Sequence, residues 1–264
     1  MNNTVEIVSH IHLLKVPFES VFTSVFFVAE NKEITVYDTA TTKEDAEDYI
    51  LPVLKDFVND GYEVKRIVIS HFHGDHAGSL KYVATAYPKA LIYAGDAEYF
   101  AKQGVCGVIC ADDGMKISEN LTLYRFNGHS HDCTAIHDAR TNTLLTADAF
   151  QGYGILRYGV YGDVGQWLDS IERAKALDVE NLITSHDYFP DGQTAFGKTQ
   201  VKKYLEGCKE CFMEIYGYIK KSQSEGICGL KAIAEKYNAE RKAKFPNHPT
   251  IGADFMGILK AYFD

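Results

Sequence analysis

The stretch His71-Phe72-His73-Gly74-Asp75-His76 follows directly on the apolar run Val64 to Ser70. Three imidazoles and a carboxylate within six residues cannot all serve one tetrahedral ion, because neighbours on a turn point in different directions and an ion takes about four to six ligands. Leaving such groups buried and unpaired would cost several kcal/mol, so a run this dense in donors points to metal rather than to packing. The stretch reads as half of a two-metal site. It sits on a loop between a buried strand and a helix, which the apolar spacing of Leu80, Val83, Ala84 and Tyr87 starts near Asp75 or His76 and ends before Pro88. Strand, ligand loop, helix is the order in which αβ proteins place chemistry.

Upstream, Ile11 to Val16, Phe22 to Ala29 and Ile34 to Tyr37 are rich in β-branched and aromatic residues and read as a β-meander. The connection Pro17 to Val21 reads as a loop with apolar side chains, suited to fold over a pocket, with Phe18 and Phe22 as walls. Asp38-Thr39-Ala40 ends the third strand, and a helix follows from Thr42 to about Asn59, stopped by Gly61. Asp38 is either a turn residue or a carboxylate that orients a metal-bound imidazole through the ring's other nitrogen.

Downstream, Leu91 to Tyr93 reads as a short strand and Asp96 to Lys102 as a helix. The strand Leu121 to Phe126 runs into Asn127-Gly128-His129-Ser130-His131-Asp132-Cys133. Thr134 to His137 and Thr143 to Thr146 form a hairpin whose second strand ends at Asp148, and Leu182 to Ser185 runs into His186-Asp187. Four predicted strands thus end on a histidine or aspartate. Strand ends along one sheet edge converge in space, and His71, His73, Asp75, His76, His129, Asp148 and His186 suit two ions with Asp148 between them.

At this point the sequence resembles the metallo-β-lactamase superfamily. His71-x-His73-x-Asp75-His76, Gly128-His129-Ser130, Asp148 among small residues and Ser185-His186 occur in that family's order over about residues 5 to 190. Asp38-Thr39-Ala40 is similar to its Asp-Thr-Gly, with alanine for glycine. The resemblance implies an α/β (α+β) fold, a four-layer αββα sandwich with two divalent ions at one edge, zinc first and manganese or iron as alternatives. It implies His71, His73 and His129 on one ion, Asp75, His76 and His186 on the other, and Asp148 bridging. Gly128 favours His129 over His131 as third ligand, leaving His131 and Asp132 as pocket, supporting or solvated residues. It also implies a hydroxide bridging the ions as nucleophile and Asp75 as proton shuttle. The occupied bridging position is similar to the glyoxalase II, lactonase and phosphodiesterase branches. Gln151 stands where lactonases of the family often have tyrosine, which weakens that assignment, and Tyr153 is the nearby substitute.

Composition bounds the rest. Of the 264 residues 46% are hydrophobic and 24% charged, ordinary for a globular protein, and the formal charge of −9 argues against nucleic acid as a partner. Residues 1–20 lack the pattern of a signal peptide and no run is long enough to span a bilayer, so a cytoplasmic protein without a membrane partner is expected. The six cysteines, with the spacings Cys106-x3-Cys110 and Cys208-x2-Cys211, read as reduced thiols.

Residues 1–190 form the expected catalytic domain and 191–264 a helical extension. Helical spacing covers Gln200 to Lys221, Leu230 to Lys244 and Ile251 to Phe263, and the extension is expected to cap the pocket or form a homodimer face. Tyr153, Arg157, Tyr158 and Tyr161 lie on a glycine-rich loop after Asp148 and are expected, with His131, to bind a small anionic or ring-containing substrate. The expected reaction is hydrolysis of a small ester, thioester or lactone. A phosphodiesterase on the same site is the alternative, and a redox or sensing protein the reading from another class.

Overall fold

In the computed structural model, which describes residues 4–153, 159 and 163–264, the period-two alternation of the strands decides the layering. The first sheet holds β1 (Val5–Val8), β2 (Ile11–Phe18), β3 (Val21–Glu30), β4 (Glu33–Tyr37), β5 (Glu63–Ile69), β6 (Leu91–Ala94) and β7 (Val108–Cys110), side by side in chain order. Its first four strands are antiparallel and β4 to β7 are parallel. The second sheet holds β8 (Met115–Lys116), β9 (Leu121–Arg125), β10 (Thr134–Asp138), β11 (Thr143–Ala147), β12 (Asn181–Tyr188) and β13 (Gly192–Phe196), again adjacent in chain order. There β11 and β12 are parallel and the other pairs antiparallel.

Phe26 and Val28 of β3, Val68 of β5, Ile136 of β10, Leu145 of β11 and Ile183 of β12 point between the sheets and form one apolar core. Their chain neighbours point outward. Val25, Phe27, Ile67 and Ile69 pack under α2 (Leu51–Asn59), α3 (Gly74–Ala77), α4 (Leu80–Ala86) and α5 (Ala97–Lys102); the short α1 (Lys43–Asp45) leads through a wide turn into α2. Ala135, Leu144 and Leu182 pack under α6 (Val164–Ala176), α7 (Lys198–Ser224), α8 (Leu230–Lys244) and α9 (Ala253–Phe263). The result is the four-layer αββα sandwich expected from the sequence.

Several boundaries differ from the sequence expectations. The segment Pro17 to Val21 is mostly strand, with β2 and β3 joined through a turn at Glu19-Ser20. Residues 192–196 form the edge strand β13, so the helical part begins at Lys198 rather than at 191, and its apolar face shares one core with the second sheet. The single helix expected after the ligand motif is broken at Gly78-Ser79 into α3 and α4. A Cβ on Gly78 would lie 2.0 Å from the Thr41 carbonyl oxygen, and this close approach docks the turn after β4 onto the motif. Thr39 N–H donates to the His76 carbonyl at 2.7 Å and Ser79 N–H to the Ala40 carbonyl at 3.2 Å. Among the described residues no helix is long and apolar enough to cross a membrane.

Candidate metal centre

The parallel pairs β4–β5 and β11–β12 bring Asp38, His71, Asp148 and His186 to one edge of the two sheets. Across that edge the sheets are stitched by Thr134 N–H donating to the Ser70 carbonyl and the Tyr37 hydroxyl donating to the Thr134 carbonyl, each at 2.7 Å. His129 comes in on the β9–β10 connection. Its preceding residue, Gly128, has φ +139°, and a Cβ there would lie 2.3 Å from Trp167 Cβ, so only glycine lets this loop lie against α6.

His71 Nε2, His73 Nδ1 and His129 Nε2 stand 2.9, 3.0 and 3.2 Å from one another. Donors about 2.05 Å from a tetrahedral zinc would be spaced by roughly 3.3 Å. The trio is therefore within a few tenths of an ångström of a ready tripod. A second trio joins Asp75 Oδ2, His76 Nε2 and His186 Nε2 at 3.2 to 3.3 Å. Asp148 lies between them: Oδ1 is 3.3 Å from His76 Nε2 and 3.4 Å from His186 Nε2, while Oδ2 is 3.7 Å from His129 Nε2. Oδ1 is buried, and among the described residues it has no hydrogen-bond partner. An orphaned carboxylate oxygen among imidazole nitrogens is what a cation would satisfy, and the mixed N and O donor set fits zinc, manganese or iron.

Four of the five rings are oriented through their other nitrogen. His76 Nδ1 donates to Asp38 Oδ2 at 2.8 Å, His186 Nδ1 to the Phe22 carbonyl at 2.7 Å, and His129 Nδ1 to the Gly159 carbonyl at 2.5 Å. Ser70 donates to Asp38 from its amide at 2.7 Å and from its hydroxyl at 2.9 Å, and that hydroxyl is also 2.9 Å from His71 Nδ1. Such partners leave Nε2 of these four rings available to a metal ion. Asp38 is wholly buried in the left-handed region at φ 67°.

Burial pushes His71, His73 and His129 toward the neutral form that a ligand needs, His73 to about 4. Burial presses His76 and His186 the same way, but the carboxylates of Asp75 and Asp148 overcome it and raise both. Burial likewise opposes charge on Asp75 and Asp148, yet their imidazole neighbours hold both carboxyls well below the usual range.

All seven expected ligands thus come together, with Asp38 supporting them. His131 does not join. Its side chain is 64% exposed and its Nε2 pairs with Asp96 Oδ2 at 3.0 Å, so His129 takes the third place in the first trio. Tyr153, expected at the substrate, is buried instead, and its hydroxyl donates to Glu214 of α7. It ties the loop after Asp148 to the helical layer. Arg157, Tyr158 and Tyr161 lie outside the described residues. Gln151 turns its amide to His129 Nδ1, at 2.8 Å. The roles of Ser70, Thr23, whose hydroxyl donates to Asp75 Oδ2 at 3.2 Å, and the Phe22 carbonyl were not expected from the sequence. Only Ser70, directly before His71, carried a signal in its position.

A cleft of about 580 Å³ is lined by Ser20, Val21, Phe22 and Asp187 together with Lys242 and Pro246 to Thr250. The wall facing the β2–β3 hairpin is thus built by the end of α8 and the connection to α9. The ring of Phe18, expected as a wall, lies 6.3 Å from that of His186.

Residues 20–107 match the family model described as the metallo-beta-lactamase superfamily. Among curated proteins, the chain is 22% identical to the atrochrysone carboxyl ACP thioesterase of Pseudocercospora fijiensis, over 76% of this chain and 58% of that one. It is 23% identical to the hydroxyacylglutathione hydrolase of Edwardsiella ictaluri, over 75% of this chain and 80% of that one. The chain spans about 60% of the length of several curated relatives that it matches. Among solved structures, a metallo-beta-lactamase from Hirschia baltica superposes with a TM-score of 0.61 at 18% identity, over 78% of this chain and 97% of that one, a likeness of fold.

Proposed function

We propose that this chain, whose residues 20–107 match the metallo-beta-lactamase superfamily model, is a metal-dependent hydrolase that cleaves a small, anionic thioester or ester at a two-ion centre, with zinc as the metal. The observation that carries the reading is Asp148, whose two oxygens face different donor trios, Oδ1 toward His76 and His186 and Oδ2 toward His129. Two divalent ions held there would supply the positive field that brings a water's pKa down to about 7 and polarises the substrate carbonyl.

The residues divide the remaining work. His71, His73 and His129 would hold one ion, Asp75, His76 and His186 the other, and Asp148 both. Asp75, charged and partly exposed at the rim, takes the proton released when water adds to the carbonyl carbon. It returns that proton to the leaving sulfur or oxygen as the bond to it breaks. The cleft of about 580 Å³ lined by Phe22, whose carbonyl accepts from His186, receives the part of the substrate remote from the reacting bond. Lys242 on its wall selects for an anion, in keeping with the net positive charge of two ions against Asp75, Asp148 and hydroxide. A thioester is placed before an oxygen ester because two curated relatives bear the names thioesterase and hydroxyacylglutathione hydrolase.

The test is turnover of protein of known metal content on an aryl ester, a thioester, a lactone, a phosphodiester and a β-lactam, before and after chelation. Turnover of the thioester, lost on chelation and restored by zinc, is the expected result. Preferential turnover of the phosphodiester would move the protein to another branch, and full activity after chelation would remove the metal from the reaction.

A further inference from the structure

The first donor trio is assembled from two pieces of the molecule. His71 and His73 follow β5 of the first sheet, whereas His129 stands on the connection between β9 and β10 of the second. The ladder of those two strands ends with Phe126 N–H donating to the Cys133 carbonyl at 3.1 Å. Beyond it, Gly128 N–H donates to the Ser130 carbonyl at 3.1 Å, a bond that shapes the tip of the loop without tying it to the first sheet.

That tie comes from the half-buried guanidinium of Arg125, the last residue of β9. Its Nε donates to the Cys133 carbonyl at 3.3 Å. One terminal nitrogen donates to the carbonyls of Gly95 and Ala111 at 3.1 and 3.0 Å, the other to the His131 carbonyl at 2.9 Å and to Asn127 Oδ1 at 3.4 Å. All five N–H donors of the side chain are thus engaged. Gly95 and Ala111 follow β6 and β7 of the first sheet, while Asn127, His131 and Cys133 belong to the loop that carries His129. Glycine at 95 is what lets them meet, since a Cβ there would lie 2.9 Å from Arg125 Cζ and 2.1 Å from the Asp132 carbonyl oxygen. His131 Nε2 adds a second tie from the loop to the same place, at Asp96.

We propose that Arg125 is the positioning residue of the first trio: its guanidinium fixes the 127–133 loop on the ends of β6 and β7, so that His129 Nε2 stands 3.0 Å from His73 Nδ1 and 3.2 Å from His71 Nε2 before an ion arrives. Without that fork the ion has to order the loop itself, and the cost of ordering is subtracted from its affinity. The second trio reaches its place by other elements, Asp75 and His76 on α3 and His186 on β12. This inference rests on the metal-binding part of the reading above and not on its substrate.

The test is Arg125→Lys, which keeps the charge and loses the fork. It is introduced into two single-site proteins, His186→Ala, which leaves the first trio whole, and His129→Ala, which leaves the second. Zinc affinity is measured in each by competition with a chromophoric chelator. Lysine is expected to weaken zinc about tenfold in the first background and to change nothing in the second. Equal falls in both backgrounds, the mark of a general loss of structure, would overturn the proposal, and so would unchanged affinity in the first. Hydrogen exchange in wild-type protein gives a check that does not depend on how the variant folds. The amides of residues 126–134 are expected to be as protected without metal as with zinc, and protection that arises only with zinc would overturn the proposal. Wild-type protein that binds no zinc would refute the metal centre and this role with it, whereas bound zinc without turnover of any ester would refute the substrate reading alone.

Discussion

Asp38 Oδ2 lies 2.8 Å from His76 Nδ1 and holds a ring whose Nε2 faces the second trio. The same oxygen accepts from the Ser70 hydroxyl at 2.9 Å, and that hydroxyl stands 2.9 Å from Nδ1 of His71 in the first trio. One carboxylate thus orients a donor of each trio, directly for the second and through a serine for the first. Burial lifts its pKa, while His76 and Ser70 favour the charged form and pull the other way. Hydrogen bonding of this kind fixes the tautomer of a metal-binding imidazole and makes it a better ligand.

Asp38→Asn tests that arrangement. Asparagine tolerates the left-handed backbone at φ 67° and keeps the volume, so the fold is expected to survive. The amide is a poorer acceptor and cannot balance a positive His76. We expect zinc affinity to fall about 10- to 100-fold at the site of His76, and less at the site of His71, where serine intervenes. Chelator competition that finds both affinities unchanged would refute the role.

Acid is expected to empty the two sites in order. His76 and His186 have raised pKa values, so in the metal-free protein they bind protons more readily and an ion must displace them. His71, His73 and His129 are lowered, His73 to about 4, so protons compete there only at lower pH. As pH falls from 7, the ion of Asp75, His76 and His186 should leave first and that of the three histidines nearer pH 4. Elemental analysis after gel filtration at each pH checks this. Simultaneous loss of both ions, or loss from the first trio ahead of the second, would count against it.

The gathering of these donors is legible in the sequence because donors clustered at predicted strand ends are improbable for any other purpose, and the sheet edge that gathers them follows from strand order. His71 to His76 needed only local spacing, while Asp148 and His186 needed the repetition. Supporting contacts were less visible. Ser70 resembles an ordinary buried residue, and Phe22 contributes a carbonyl, which no side-chain pattern reveals. For Tyr153 the sequence leaves a substrate wall and a packing tie equally open, and only the position of Glu214 on α7 decides for the tie. The edge strand β13 was missed because Pro190-Asp191-Gly192 signals a turn equally well before a strand or a helix.

Gly128→Ala should destabilise the fold by about 3 kcal/mol, from a backbone conformation that alanine resists and from crowding against Trp167. The φ of +139° and the 2.3 Å approach to Trp167 Cβ act together, and relieving the clash would move His129 away from His71 and His73. Urea unfolding of the metal-free protein gives the first effect and zinc competition the second. A variant with wild-type stability and zinc affinity would show that the loop repacks without cost.

Lys242 provides the last prediction, which tests whether the helical layer takes part in substrate choice. Its ammonium donates to Thr250 Oγ1 at 2.9 Å, and Lys242 lines the same cleft as Phe22 and Asp187. A charge-assisted hydrogen bond to a substrate anion contributes about 1.5–3 kcal/mol, of which solvent exposure of the cleft takes part, so Lys242→Ala should raise KM about tenfold for an anionic thioester. The effect should be confined to KM if the lysine holds a charge apart from the reacting carbonyl, since it would then bind ground and transition states alike. A neutral analogue of the same size should show no change. Equal losses on both substrates would mean that the side chain supports the α8–α9 connection, and an unchanged KM for the anion would place the recognition of charge elsewhere in the chain.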